Sequence, residues 1–294
     1  LCYMGNTFIN NSSYQGRLKE STQLGAELIG DDSIEADAEI LAMAVECLKK
    51  AGLEKFQISI GHTGFLKGLM EEAGLNEEQE EELRELISNK NFFGVEEFIG
   101  TLEIAEDLKE LFTLLGGFYD SPKQFEEIQK KAAPYQKSAS ALAYLKDLHE
   151  VLKLYQAERY ISYELGALSD YHYYTGIIFS GYTFGTGEPI VKGGRYDKLL
   201  KYFGKDAPAI GFAIASDQLL AAIQRQKTEI TTDKEYQLLL YPRKLQEAIL
   251  KAQELRKTGA LIELLCMDET KSKENYQAYA DRTGITQITY MDGE

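Results

Sequence analysis

Cysteine and histidine are scarce, with three of each in 294 residues. Cys2, Cys47 and Cys266 are odd in number and far apart, which argues against a disulfide framework or zinc spacing and fits a reducing cytoplasm. His62, His149 and His172 have no paired spacing, so no metal centre is expected. Neither His62 nor His172 has an acidic partner at triad-like spacing, and both read as structural. No run of about 18 apolar residues occurs, so no membrane span is expected. The first ten residues lack the basic start and apolar stretch of a signal peptide. Positive charge is also short: 32 Lys and Arg stand against 47 Asp and Glu, a net charge of -15. A nucleic-acid binder usually presents a basic face that replaces phosphate counterions, so this balance weighs against that class.

What is present is an ordinary globular composition, 44% hydrophobic, long enough for about two domains of roughly 150 residues. A strand is expected within 16–30, where Leu24, Ala26 and Leu28 alternate, and a helix from an N-cap at Ser33, with Ala38, Leu41, Ala42, Val45 and Leu48 on one face. Phe56, Ile58 and Ile60 alternate as a strand. Residues from about 63 to 156 read as a helical insertion. It contains a capping box at Asn76 and Gln79, an acidic run over 77–85 that reads as a solvated face, and a helix over 140–155. Strands are then expected over 159–165, 177–184, 189–193 and 209–215, with helices over 197–203 and 216–225. The expected fold class is α+β, a mostly antiparallel sheet with helices, over 1–225. After a polar linker at 226–234, residues 235–294 alternate strand, helix, strand, helix, strand, the order of a small α/β domain with parallel pairing.

Three stretches carry a resemblance. The first runs Gly16-Arg17-Leu18-Lys19-Glu20-Ser21-Thr22-Gln23-Leu24-Gly25-Ala26-Glu27-Leu28-Ile29-Gly30, followed by Glu35 to Glu39. The second is Asp170-Tyr171-His172-Tyr173-Tyr174-Thr175-Gly176-Ile177-Ile178-Phe179. The third is Gly193-Gly194-Arg195-Tyr196-Asp197-Lys198-Leu199, with Pro208 to Ala213 behind it. In order and spacing they resemble the histidyl-tRNA synthetases, class II enzymes, over 1–225. Residues 235–294 more loosely resemble that family's C-terminal domain. The resemblance implies a class II synthetase-like sheet with a helical insertion. The family's first motif, at its dimer interface, is expected to precede Leu1.

Adenylate synthesis builds negative charge on a phosphate, which arginine suits because it stays charged and offers a planar fork of donors. Counting from fixed neighbours, the family's three arginine positions are Ile9, Ser169 and Gln218 here. No catalytic residue and no cofactor is therefore expected. The amino-acid half of the cleft fares better. Gln23, Glu27, Tyr173, Tyr174, Gly193 and Gly194 match positions that the family uses to hold histidine, a carboxylate beside an ammonium being a charge-assisted contact. The competing reading is that Gln23 and Glu27 satisfy neighbours in the sheet and that the tyrosines are core. Arg195 reads as half of a structural ion pair, with Asp197 or a strand neighbour.

A synthetase-like chain without these arginines is similar to the regulatory subunits of short-form ATP phosphoribosyltransferase. Leu1 to Phe8 and Gln15-Gly16-Arg17 share that likeness. The resemblance implies a cytoplasmic, non-catalytic subunit in the first step of histidine biosynthesis. Its implied partners are the short catalytic subunit and a second copy of itself, within a hetero-octamer. Histidine is the implied ligand and feedback signal, acting by unequal affinity for two states. An active synthetase and a free-standing histidine-sensing module are the alternatives, separable by what co-purifies.

Overall fold

The structure is a computed structural model and describes residues 1–10, 19–119, 122–168, 173–228, 236–242, 245–268 and 270–291. The chain divides into two compact units, Leu1–Thr228 and Glu229–Glu294. Among the described residues no helix is long and apolar enough to cross a membrane.

The first unit is built on strands β1 (Cys2–Phe8), β2 (Glu20–Ile29), β3 (Phe56–His62), β4 (Phe118–Tyr119), β5 (Ile161–Glu164), β6 (Ile177–Thr183), β7 (Val191–Arg195) and β8 (Ala209–Ala215). They form one sheet in the order β1-β2-β8-β7-β6-β3-β5-β4. Every neighbouring pair is antiparallel except β3 and β5. The helices are α1 (Ile34–Lys50), α2 (Thr63–Glu72), α3 (Glu77–Ser88), α4 (Phe92–Gly100), α5 (Glu106–Thr113), α6 (Pro122–Ala132), α7 (Gln136–Leu154) and α8 (Ser216–Gln226).

Local chemistry starts these helices. Ser33 Oγ accepts the Ala36 N–H at 3.2 Å, and Glu35 and Asp37 stand at the positive end of α1 with Lys49 and Lys50 at the negative end. At α3 the Asn76 side chain and the Gln79 side chain each accept the other's backbone N–H at 3.0 Å. The acidic run over 77–85 is the outer part of α3, whose buried residues are Leu83 and Ile87. In α7 the stripe Leu142, Leu145, Leu148 and Leu152 is fully buried.

Because side chains alternate across a strand, the register divides the sheet into two unlike faces. Ile58, Ile60, Ile177, Phe179, Val191, Ile210, Phe212 and Ile214 are buried with α1 and α7 residues in one continuous core. On the other face, residues directly opposite one another make two rows. One row runs Tyr3, Gly25, Ala213, Lys192, Ser180, Ser59, Ser162 across seven strands. The next runs Glu27, Gly211, Gly194, Ile178, Gly61. Apart from Tyr3 and Ile178, the residues of these rows are polar or small, and the candidate site lies on this face.

Several elements fall where the sequence places them: β8 and α8 begin at the expected residues, and β3 spans its alternation. Three differ. The pairing of β7 runs over Val191–Arg195, not 189–193, because its ladder partners are Ile178–Gly181 on one side and Ile210–Ile214 on the other. The paired glycines thus lie inside the strand. The stretch over 197–203 is a short 3₁₀ turn, Leu199–Phe203, stopped by Gly204 at φ +86°. The segment Cys2–Phe8, which has no clear alternation, is an edge strand because β2 offers it a full antiparallel ladder.

In the second unit, β9 (Tyr236–Tyr241), α9 (Leu245–Lys257), β10 (Leu261–Cys266), α10 (Lys273–Thr283) and β11 (Gln287–Tyr290) give a parallel sheet in the order β10-β9-β11. The central strand is apolar on both faces. Leu238 and Leu240 pack with Tyr276 and Ala280 of α10, while Leu239 packs with Ala252 of α9. Ser272 and Asn275 cap α10, and Gly284, at φ +74°, ends it.

Candidate amino-acid pocket

Of the six residues expected to hold an amino acid, Glu27, Tyr173, Tyr174 and Gly194 are brought together, whereas Gly193 and Gln23 lie outside that cluster. Glu27 points from β2 across β8, where a side chain on Gly211 would come within 1.7 Å of its Oε2. The Tyr174 ring lies on Gly194, whose missing Cβ leaves it room at 2.7 Å. Tyr173 packs against Tyr174, with ring centroids 4.6 Å apart. Gly193, on the opposite side of β7, admits the Phe179 ring and the Gly211 carbonyl. The glycines are therefore a bed on which a carboxylate and aromatic rings lie directly against backbone. Gln23 is on the same face of β2, four residues along the strand from Glu27, and its side chain makes no hydrogen bond to a described residue.

Two members of the cluster are not among the residues that the resemblance assigns to the ligand. The Tyr196 hydroxyl donates to Glu27 Oε2 at 2.5 Å, and its ring meets Tyr173 edge-on at 5.7 Å. Tyr3, opposite Gly25 in the ladder, lays its ring on that glycine. The signal for Tyr196 was its place two residues beyond Gly194, on the same face. For Tyr3 there was none in sequence, since the pair is made only when β1 joins β2.

Burial pushes the Glu27 carboxyl above its ordinary range, and the Tyr196 hydrogen bond opposes that shift. Burial also raises the Tyr3 and Tyr196 hydroxyls, helped in each case by the Glu27 charge. Oε1 of Glu27 accepts no hydrogen bond from a described residue, so one lone-pair edge is left for a ligand donor.

Behind the pocket, Arg195 clamps β7 to α1. Its Nε donates to Asp37 Oδ1 at 2.7 Å, and its terminal nitrogens reach the Asp31 and Ser33 carbonyls at 3.1 and 3.3 Å and Asp197 Oδ1 at 3.3 Å. Tyr144 of α7 donates to the other Asp37 oxygen at 2.7 Å. Asp37 is wholly buried. Burial pushes its carboxyl up, and the bonds from Arg195 and Tyr144 offset this. The principal partner of Arg195 is thus Asp37, with Asp197 secondary; Thr175 holds Asp197 in turn at 2.6 Å.

The three positions expected to correspond to the family's arginines fare differently. Ile9 follows β1, half exposed, with its N–H donated to the Lys19 carbonyl at 2.9 Å. Gln218 is in the first turn of α8. Ser169 lies outside the described residues, as does His172. His62 caps α2, its Nδ1 accepting the Gly64 N–H at 3.0 Å, and burial lowers its pKa to about 4. His149 shares a hydrogen bond of 3.0 Å with the Tyr163 hydroxyl.

An antiparallel sheet with an open polar face, a glycine bed and a carboxylate among tyrosines defines the class II synthetase-like proteins of histidyl type. A family model described as histidyl-tRNA synthetase matches residues 1–219. The solved histidyl-tRNA synthetase of Nostoc sp. PCC 7120 shares the fold, with a TM-score of 0.73 at 19% identity over 96% of this chain and 68% of that one. Nearer in sequence is a Bacillus halodurans structure described as an ATP phosphoribosyltransferase regulatory subunit/histidyl-tRNA synthetase. It has a TM-score of 0.76 at 31% identity, over 100% of this chain and 73% of the other. The curated ATP phosphoribosyltransferase regulatory subunit of Acetivibrio thermocellus is 38% identical over 290 residues, 98% of this chain and 69% of the relative. The chain belongs to the family of ATP phosphoribosyltransferase regulatory subunits.

Proposed function

We propose that this chain is the non-catalytic regulatory subunit of a short-form ATP phosphoribosyltransferase, and that it serves the first step of histidine biosynthesis by sensing histidine. One observation carries the reading. The pocket half of the synthetase cleft keeps its carboxylate, tyrosines and glycine bed, whereas the described phosphate-side positions, Ile9 and Gln218, carry no cation. Adenylate formation would need those charges: a single donor to a developing oxyanion is typically worth about 3 kcal/mol. Histidine binding needs different groups. Glu27 Oε1 would take an N–H of the ligand, with Gln23 beside its polar end and Tyr173 and Tyr174 against its ring.

Feedback then follows from linkage. Histidine shifts the balance between two assembly states only by its difference in affinity for them. The assembly is a homodimer of this chain joined to catalytic subunits in a hetero-octamer, in keeping with the two-fold symmetry common in such oligomers. The deciding experiment reconstitutes full-length protein with a short catalytic subunit. Phosphoribosyl transfer that requires this chain and falls with added histidine is the expected result. Activity indifferent to this chain, or histidine-dependent exchange of pyrophosphate into ATP by this chain alone, overturns the proposal.

A further inference from the structure

The helical hairpin α3–α4 stands over the open face of the sheet with a space beneath it. A cavity of about 540 Å³ separates them, with Glu81, Arg84 and Ser88 of α3 on one wall and Ser180 of β6 and Lys192 of β7 on the other. α3 packs on α4, and α4 on α5, so the hairpin is gripped along one flank. Leu83 and Ile87 of α3 and Val95 and Ile99 of α4 are the residues it buries.

One polar link crosses from the hairpin to the sheet. Lys90, in the turn between α3 and α4, pairs with Glu164 of β5. Among the described residues no other ion pair or hydrogen bond joins residues 77–100 to a strand. Glu164 is buried, and its second oxygen accepts the Ser59 hydroxyl at 3.1 Å. A buried carboxylate left without its cation is costly, so Glu164 favours the arrangement in which the hairpin is down. The backbone at Lys90 fits that role. Lys90 follows the C-cap Asn89 of α3 at φ +55°, a position where helices commonly carry glycine because a Cβ is unfavourable there. Lysine at that position supplies a side chain long enough to reach Glu164. Both ends of the hairpin are small and open. Gly74, at φ +65°, precedes α3, Gly100 closes α4, and a Cβ on either would meet nothing within 4 Å.

We propose that α3–α4 is a lid over the open face and that the Lys90–Glu164 pair is its latch. Closed, the lid roofs the cavity that Tyr174 also lines, and the Tyr174 ring lies on Gly194 in the neighbouring amino-acid pocket. Released, the hairpin turns about Gly74 and Gly100 and opens this face to solvent, a hinge motion between two arrangements. Lys90 is thus a positioning residue, acting through Glu164. The inference stands whatever the Glu27 pocket binds, because neither latch residue touches Glu27.

Hydrogen–deuterium exchange of the intact chain tests it. Lys90→Met alone strands the Glu164 charge and loosens more than the lid, so the deciding variant combines Lys90→Met with Glu164→Gln and removes both charges together. In that variant the amides of α3 and α4 are expected to exchange about tenfold faster or more than in the parent, which reports easier local opening. The amides of α7, whose leucine stripe is fully buried, are expected to keep their rates. Two results would each overturn the proposal. Unchanged exchange in α3 and α4 would mean that packing on α5 alone holds the hairpin. Equal acceleration in α7 would mean that the pair braces the whole fold and latches nothing.

Discussion

The carboxylate of Glu27 on β2 rests on the backbone of Gly211 on β8, its register partner, so closely that a Cβ at position 211 would lie 1.7 Å from Oε2. Neither residue can be understood without the other. The absent side chain is what lets a partly buried carboxylate reach the Tyr196 hydroxyl at 2.5 Å. Gly211→Ala is therefore expected to evict the Glu27 side chain rather than simply fill space. The cost is about 1–3 kcal/mol, the usual range for overpacking, measured by urea unfolding. Double substitution with Glu27→Ala is expected to recover only the part of that loss that comes from the carboxylate, since a Cβ at 211 also meets the Ala26 carbonyl at 2.7 Å. Strictly additive effects would separate them.

His62 makes the stability depend on mild acid. Its folded pKa is about 4, against 6.5 for the free side chain, because burial disfavours the imidazolium. A base whose pKa falls on folding binds fewer protons when native, so stability drops as pH is lowered from about 6.5 towards 4. Below that window the loss is on the order of 3 kcal/mol. His62→Asn keeps an acceptor for the Gly64 N–H at the head of α2 but cannot charge. Melting curves from pH 7 to pH 4 are expected to show a shallower decline in the variant. Parallel curves would mean that His62 does not titrate in that window.

The hub of Asp37, Arg195 and Tyr144 is a third target. Tyr144→Phe removes only a hydroxyl, but leaves one oxygen of a wholly buried carboxylate without its donor. A loss of about 1–3 kcal/mol is expected in chemical unfolding. Arg195→Met strands the Asp37 charge and is expected to cost more, about 3–5 kcal/mol. If Arg195→Met were as mild as Tyr144→Phe, Asp37 would be protonated in the folded protein.

That hub also marks where sequence reasoning stops. Local signals carried most elements: the Ser33 cap, the Asn76 and Gln79 box, the alternation over 56–60, and the doubly apolar strand at 236–241 all depend on near neighbours. The Gly-Gly pair was legible as a motif but not as strand interior, because glycine usually weakens strands and here serves to seat Phe179 and Tyr174. Arg195 and Asp37 are 158 positions apart, and Tyr196 and Glu27 are 169 apart. Only the β2-β8-β7 ladder and the packing of α1 close those distances, and nothing in the spacing of the chain foretells them. For the same reason Tyr3 came to light only through its rung with Gly25.

The proposed sensing role rests most directly on Glu27 and Tyr196. Burial raises the Glu27 pKa, so its ionisation works against folding as pH rises from the ordinary carboxylate range through the raised value. Glu27→Gln lacks that titration, and its unliganded stability is expected to decline less across that interval. Ligand response should move the other way. Histidine that binds only the folded state stabilises it by about 2.7 kcal/mol at about 100 times its dissociation constant. Glu27→Gln replaces a charge-assisted acceptor with an amide and is expected to lose most of that shift. Tyr196→Phe keeps the carboxylate but removes the hydroxyl that orients it, so a smaller loss is expected. Thermal scans of the three proteins with millimolar histidine, and with arginine as control, rank them as wild type, then Tyr196→Phe, then Glu27→Gln. Equal shifts in all three would move histidine away from this pocket, and no shift in the wild type would leave regulation to a subunit interface.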